Sequence, residues 1–397
     1  MPRFEPFNGV RYDTSRASIA DVTAPPYDVI DARGRAALVA RDPHNVVIVD
    51  LPDEADGPGR YEAASRTFDA WLAEGVLVRD EAPGFYVYRM DYLDDLGHQV
   101  HTLGVLGALE LSRPDEGDIL PHEHTTPKAK SDRLDLLRAT RVNLSAIWGL
   151  SLTKGLTGHC RVDAEPDESW VDDDGVGHHL WRVTDPARID AIRAAVGASP
   201  VVIADGHHRF ETSLAYRDER AAAGDDPVGA ELAMVYVVEL VDEELTVRPI
   251  HRLLSGTSDA DLRAALAERF TLVDAGPVDD DILARMATEG ALTLVEPDGS
   301  GTFLVPREGA FDGVDDLDSS RLAAAIESVP GIEVRYQHGV DDILEALQRG
   351  EADAGVLLRP ASVAQIDANA HSGRRMPPKT TFFHPKPRTG PVFRPTD

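Results

Sequence analysis

One stretch constrains the fold more than any other: Pro200-Val201-Val202-Ile203-Ala204-Asp205-Gly206-His207-His208-Arg209-Phe210-Glu211-Thr212. A short apolar run ends in Asp-Gly, two histidines and an arginine follow, and a helical pattern then begins. That order predicts a strand entering a tight turn and then a helix N-terminus. The first-turn N–H groups and the positive end of the helix dipole favour an anion there. Arg209 adds a forked donor suited to phosphate or carboxylate.

The rest of the chain alternates helices with strands that lie close in sequence. Helices are expected over 32–40, 61–71, 131–140 (with Ser131 as N-cap), 186–196 and 340–347. Ser258 to Asp261 reads as a capping box ahead of the helix face Leu262, Leu266 and Phe270. Strands are expected over 45–50, 84–92, 98–111 and 143–152, with a loop or hairpin over 155–180. Two hairpins are expected, 233–240 with 245–250, and 292–295 with 302–305 around Pro297-Asp298-Gly299. This pattern predicts an α+β (mixed α/β) fold with interleaved subdomains rather than a clean doubly wound sheet. The expected division is a main domain over 1–250, a smaller α+β subdomain over 251–350, and a segment over 351–397 that wraps back onto the main domain. Phe382, Phe383 and Phe393 support that wrapping, because they are costly to leave in water.

Charge and composition limit the partners. A net charge of -29 argues against duplex DNA, which needs a basic face. No apolar run is long enough for a membrane span and no h-region opens the chain, so a cytoplasmic protein is expected. The single cysteine, Cys160, excludes an internal disulfide and a Cys-rich zinc site. Oligomeric state is not legible.

Of 40 basic residues only five are lysine. A chain that prefers arginine and still places Lys130 and Lys379 points to positions needing a compact ammonium, as beside a phosphate. Lys130, Asp132 and Arg133 open a helix, where positive charge makes sense if an anion sits there; the alternative is a weak surface ion pair. Lys379-Thr380-Thr381 offers an ammonium and two hydroxyls, or simply a packing strand. In Pro121-His122-Glu123-His124-Thr125, alternate residues of an extended chain project together. His122 and His124 then share a ligand, with Asp205 or His207 completing a metal site, and Glu123 serves as general base or faces water. Asp205 itself caps the helix, binds Mg²⁺ or acts as base. Of His207 and His208, one contacts phosphate and the other packs.

Further motifs run in order: Pro25-Pro26-Tyr27-Asp28, His122-Glu123-His124-Thr125, Lys130-Ser131-Asp132-Arg133-Leu134, Arg141-Val142-Asn143-Leu144-Ser145, the Asp205 motif, and Met376-Pro377-Pro378-Lys379-Thr380-Thr381-Phe382. Together they resemble a conserved bacterial and archaeal family of unknown function, the domain-of-unknown-function family one thousand and fifteen. That resemblance brings no activity with it. Locally, Asp205-Gly206-His207-His208-Arg209 is similar to the phosphate box of the ParB/sulfiredoxin superfamily, which includes an ADP-dependent free-serine kinase. Where sulfiredoxins carry a catalytic cysteine this chain has His207, which excludes their chemistry.

The expectation is therefore a nucleotide-binding enzyme that transfers or hydrolyses a phosphoryl group, with Mg²⁺, ADP or ATP, and a small polar acceptor such as serine. Asp205, Glu123 and His207 are the catalytic candidates. Gly206, His208, Arg209, Lys130, Arg133, Lys379 and Thr380 are the phosphate-binding ones, and His122, His124 and Asp205 the metal ligands. Two alternatives remain open: a zinc or manganese hydrolase built on His122, His124 and His207, and a non-catalytic nucleotide or metabolite sensor.

Overall fold

In the computed structural model, residues 1–94, 97–113, 117–121, 130–224, 229–372 and 376–396 are described. Contacts divide the chain into two units, Met1–Thr246 with Pro385–Asp397, and Val247–His384. Residues 351–384 thus belong to the second unit, and the chain beyond them returns to the first. Each unit is a sheet covered by helices, so the fold is α+β. No helix among the described residues is long and apolar enough to cross a membrane.

The first unit is built on a nine-stranded sheet. Its path runs Ile119–Pro121, Val201–Asp205, Ile147–Ser151, Leu232–Glu239, Gln99–Glu110, Phe85–Leu93, Gly177–Val183 and Glu168–Val171, with Phe4–Glu5 pairing the long Gln99–Glu110 strand. Val201–Asp205 is parallel to Ile119–Pro121 but antiparallel to Ile147–Ser151. One sheet face buries Phe4, Phe85, Val105, Ile147, Val201, Ile203 and Val235 against Ile192, Val196 and Phe210 of the helices. Gly107 is required there, because an added Cβ would collide with the Phe4 ring. The helices Lys130–Thr140 and His207–Ala222 pack together, and Arg138 grips Glu219 across them at 2.9 and 2.5 Å.

The second unit is a six-stranded antiparallel sheet, in the order Phe270–Pro277, Ser300–Pro306, Leu292–Val295, Ala354–Leu357, His251–Ser255 and Glu333–Gln337. Side chains alternate across a strand, so Leu254 faces one layer and Leu253 the other. Helices Asp259–Arg269 and Asp318–Ile326 cover the first face through Leu262, Leu266 and Leu322. Helices Ile282–Glu289 and Val340–Gln348 cover the second through Met286, Ile343 and Leu347.

Three local expectations are corrected. Asn45 to Asp50 forms no strand; Val47–Asp50 is a short buried helix. Asn45 Oδ1 accepts the Val47 N–H at 3.0 Å and its amide donates to the Asp21 carbonyl, a side-chain turn that overrides the β-branched run. The strand expected over 143–152 breaks into Val142–Asn143 and Ile147–Ser151. The hairpin of 233–240 with 245–250 does not form: Leu232–Glu239 already has a partner on each edge. The chain instead turns at Asp242–Glu244, where the Glu244 carboxylate accepts the Leu103 N–H at 2.9 Å.

Of the final segment, only the chain after His384 belongs to the first unit. Thr389 and Ala24 exchange backbone hydrogen bonds, as do Phe393 and Val10. Arg394, 4% exposed, donates to Asn143 and to the Leu232 and Gly229 carbonyls. This strap fixes the position of residues just before it, including Lys386.

Candidate functional site

Asp205 ends its strand through an irregularity: Ile203 pairs with Gly149, but Asp205, not Ala204, pairs with Trp148. Such bulges re-aim a side chain. Gly206 follows with φ +87°, a left-handed conformation that suits glycine, and an added Cβ would lie 2.9 Å from Arg209 Nε. The helix His207–Ala222 begins at once, and Gly206 offers no side chain to cap it. Asp205 does not cap it either. Its Oδ2 accepts from Arg209 Nη2 at 2.7 Å, and its Oδ1 faces Lys386 Nζ at 3.1 Å. The capping reading of Asp205 is thereby set aside.

Lys386 also donates to Asp28 Oδ2 at 2.8 Å, so one ammonium bridges two carboxylates. Burial alone would raise the Asp205 carboxyl. The charges of Lys386 and Arg209, the Lys386 hydrogen bond and His207 outweigh it and hold its pKa down to about 2. Burial likewise opposes the Lys386 charge, but Asp205 and Asp28 raise its pKa overall.

The network continues inward. Arg209 Nη1 donates to the Ala146 carbonyl, which the break in the 143–152 segment exposes. Arg133, 6% exposed, donates to the Asp50 carbonyl at 2.6 Å and grips Asp132 at 2.9 and 2.7 Å. Its guanidinium lies over the Tyr27 ring, 4.3 Å from the centroid. Asp132 also accepts from Tyr61 and Arg60. Burial raises the Asp50 pKa, against the pull of Arg133 and Arg209.

Asp205, Gly206, His207, His208 and Arg209 thus stand together, and Arg133 is linked to them through Asp50. Lys379 and Thr380 belong to the second unit. The Lys379 carbonyl accepts from Arg252, and Thr380 Oγ1 donates to the Pro377 carbonyl at 2.7 Å and pairs with Ser319. His122, Glu123 and His124 lie outside the described residues, as does the side chain of Lys130. Among the described residues, no group of three or more His, Cys, Asp or Glu is placed to hold a metal. Cys160 is buried, and burial pushes its thiol up to about 12, so it is no nucleophile.

The same network includes Asp50, to which the sequence assigned no role, Tyr27 and Asp28 of the Pro-Pro motif, and Lys386 from the second lysine-bearing segment. For Lys386 a signal existed, a lone lysine between two prolines in an arginine-preferring chain. For Asp50 there was none, since its run reads as an ordinary strand.

The family described as Protein of unknown function (DUF1015) matches residues 4–320, and the chain belongs to it. No curated protein matches the chain. Solved structures similar to it include a conserved hypothetical protein from Pyrococcus furiosus, 14% identical over 70% of this chain and 90% of that one, with a TM-score of 0.36. A free serine kinase in complex with AMP is 14% identical over 70% of this chain and 86% of that one, TM-score 0.37. SbnI with C-terminal truncation, from Staphylococcus aureus, is 13% identical over 72% and 85%, TM-score 0.40. Superpositions this loose assign no residue of this chain a role.

Proposed function

We propose that the Asp205–Arg209 turn binds the phosphoryl end of a nucleotide and that the protein transfers or hydrolyses that group, with a small polar metabolite as acceptor. One observation carries the reading. A glycine turn opens a 16-residue helix with no side-chain cap from Gly206, and Lys386 and Arg209 converge on the residue before it. Backbone N–H groups and two cations are the parts that phosphoryl transfer needs, because its catalysis is mostly positioning and charge neutralisation.

In this reading His207, His208 and Arg209 hold phosphate, and Lys386 adds an ammonium to those expected from Lys130 and Lys379. Asp205 and Asp28 share one cation already, a donor set of hard oxygens that fits Mg²⁺. Mg²⁺ when bound would neutralise phosphate charge. An acid with its pKa at about 2 is a poor proton acceptor at neutral pH. Glu123 is therefore the base, and Asp205 organises the cations.

The test is phosphorus NMR of ADP and ATP incubated with the protein, Mg²⁺ and a panel of small hydroxyl compounds including serine. The expected result is a new phosphate ester or inorganic phosphate, lost in Glu123→Gln and in Lys386→Met. Unchanged nucleotide under every condition would remove the enzyme reading.

A further inference from the structure

Beside Arg209 the first unit has a partly open cavity of about 50 Å³, reaching Asp50, Arg133, Asn143, Arg209, Thr212 and Met234. One water needs roughly 10–15 Å³ by such a measure, so the space takes about four water-sized groups. Most of its polar wall is already engaged. Arg133 holds Asp50 and Asp132, Arg209 holds Asp205 and the Ala146 carbonyl, and Asn143 Oδ1 accepts from the Met234 N–H and from Arg394.

Thr212 differs. It is 4% exposed, and its Oγ1 is buried with no hydrogen-bond partner among the described residues. A helical hydroxyl ordinarily bonds back to the carbonyl one turn earlier. Its neighbour Ser213 does so, donating to the Arg209 carbonyl at 2.9 Å. A buried hydroxyl left without a partner is destabilising unless something arrives to pair it.

We infer that this cavity binds a small hydroxyl-bearing molecule through Thr212 Oγ1, and that this molecule is the phosphoryl acceptor. The second half rests on the phosphoryl-transfer reading above. Leu137, Val142 and Ile147 form the apolar part of its wall beside the polar groups. The cavity shares Arg209 with the phosphate turn, which keeps donor and acceptor adjacent. In the step itself, the acceptor oxygen bonds to the terminal phosphorus. The bond from that phosphorus to the departing nucleotide oxygen breaks, its electron pair leaving on the nucleotide, and the hydroxyl proton is released to water.

Met234 is 2% exposed and lines the cavity, so its methyl resonance reports occupancy in a chain with five methionines. Ethylene glycol, matched to the space in bulk, is titrated into the full-length protein, with xenon as the apolar probe. Glycol is expected to shift the Met234 resonance saturably. Thr212→Val is expected to weaken that response about five- to tenfold, the loss of one neutral hydrogen bond. Thr212→Ser restores it, and xenon reports an intact cavity in all three proteins. A Met234 signal unmoved by glycol, or equal glycol affinity in Thr212→Val, overturns the site. Nucleotide thermal shifts on the same samples separate the two readings. Their absence with the Met234 response intact removes the acceptor role but keeps the hydroxyl site. Their presence with Met234 silent removes the cavity proposal alone.

Discussion

Each unit places a carboxylate against an arginine, and the two pairs are built differently. In the second unit Asp318, its side chain 4% exposed, takes the Arg359 N–H at 3.0 Å and the Arg359 guanidinium at 2.9 and 2.6 Å. Its acceptors are used inside its own unit, between a helix start and the strand Ala354–Leu357 that precedes Arg359. Asp205 is 27% exposed, sits beyond a strand irregularity, and is held by an arginine from its own helix and a lysine from the returning strap. A closed pair ties elements together. An open one, ahead of a helix N-terminus, keeps cations where a ligand can use them.

The largest effect should come from breaking the closed pair. Asp318→Ala should cost about 3 kcal/mol in urea unfolding, because it leaves Arg359 without its counter-charge. A loss under about 1 kcal/mol would mean that the pair is no strut.

The units should also respond to pH with opposite sign. His251 in the second unit is 1% exposed, and burial lowers its pKa to about 4. A depressed base favours folding above its unfolded pKa, so about 3 kcal/mol is lost as pH falls from roughly 6.5 to 4. Glu244 in the first unit is 3% exposed, and burial raises its pKa to about 7. A raised acid binds its proton when the unfolded chain does not, so about 3 kcal/mol is lost as pH rises from roughly 4.5 to 7. All four tryptophans lie in the first unit, so tryptophan fluorescence follows that unit. Glu244→Gln should flatten its dependence near neutrality, and His251→Leu should leave it untouched.

Asp205→Asn sharpens the contrast. With its pKa at about 2, the Asp205 carboxyl contributes about 2 kcal/mol above pH 4 that vanishes as pH falls toward 2. The variant should lose that increment at neutral pH and show no acid step from this group. The smallest effect is a gain. Thr212→Val removes a buried hydroxyl with no partner and should stabilise the ligand-free protein by about 1 kcal/mol in the same urea titration.

The motif from Pro200 to Thr212 was legible because apolar run, glycine turn and helical spacing agree there, and no distant contact overrules them. The helix Pro186–Val196 was legible for the same reason, with Asp185 capping it and proline at its start. Failures occur where a hydrogen bond to a partner far along the chain helps decide the local conformation. Asn45 bonds the Asp21 carbonyl, Glu244 the Leu103 N–H, and Arg209 the Ala146 carbonyl, and each changes an element that propensity alone assigns differently. Lys386 illustrates the same limit at the site. Its partner Asp28 lies 358 residues away in sequence, and the strap at Thr389, Phe393 and Arg394 brings them together.

The central claim is that the Asp205–Arg209 turn with Lys386 forms a phosphate site. The direct test is a thermal-shift series with nucleoside mono-, di- and triphosphates and Mg²⁺, run on wild type, Gly206→Ala and Lys386→Ala. At a hundredfold over Kd a ligand adds about 2.7 kcal/mol of stability. The account predicts a shift in wild type that both variants lose or greatly reduce. No shift with any nucleotide, or equal shifts in all three proteins, would contradict it.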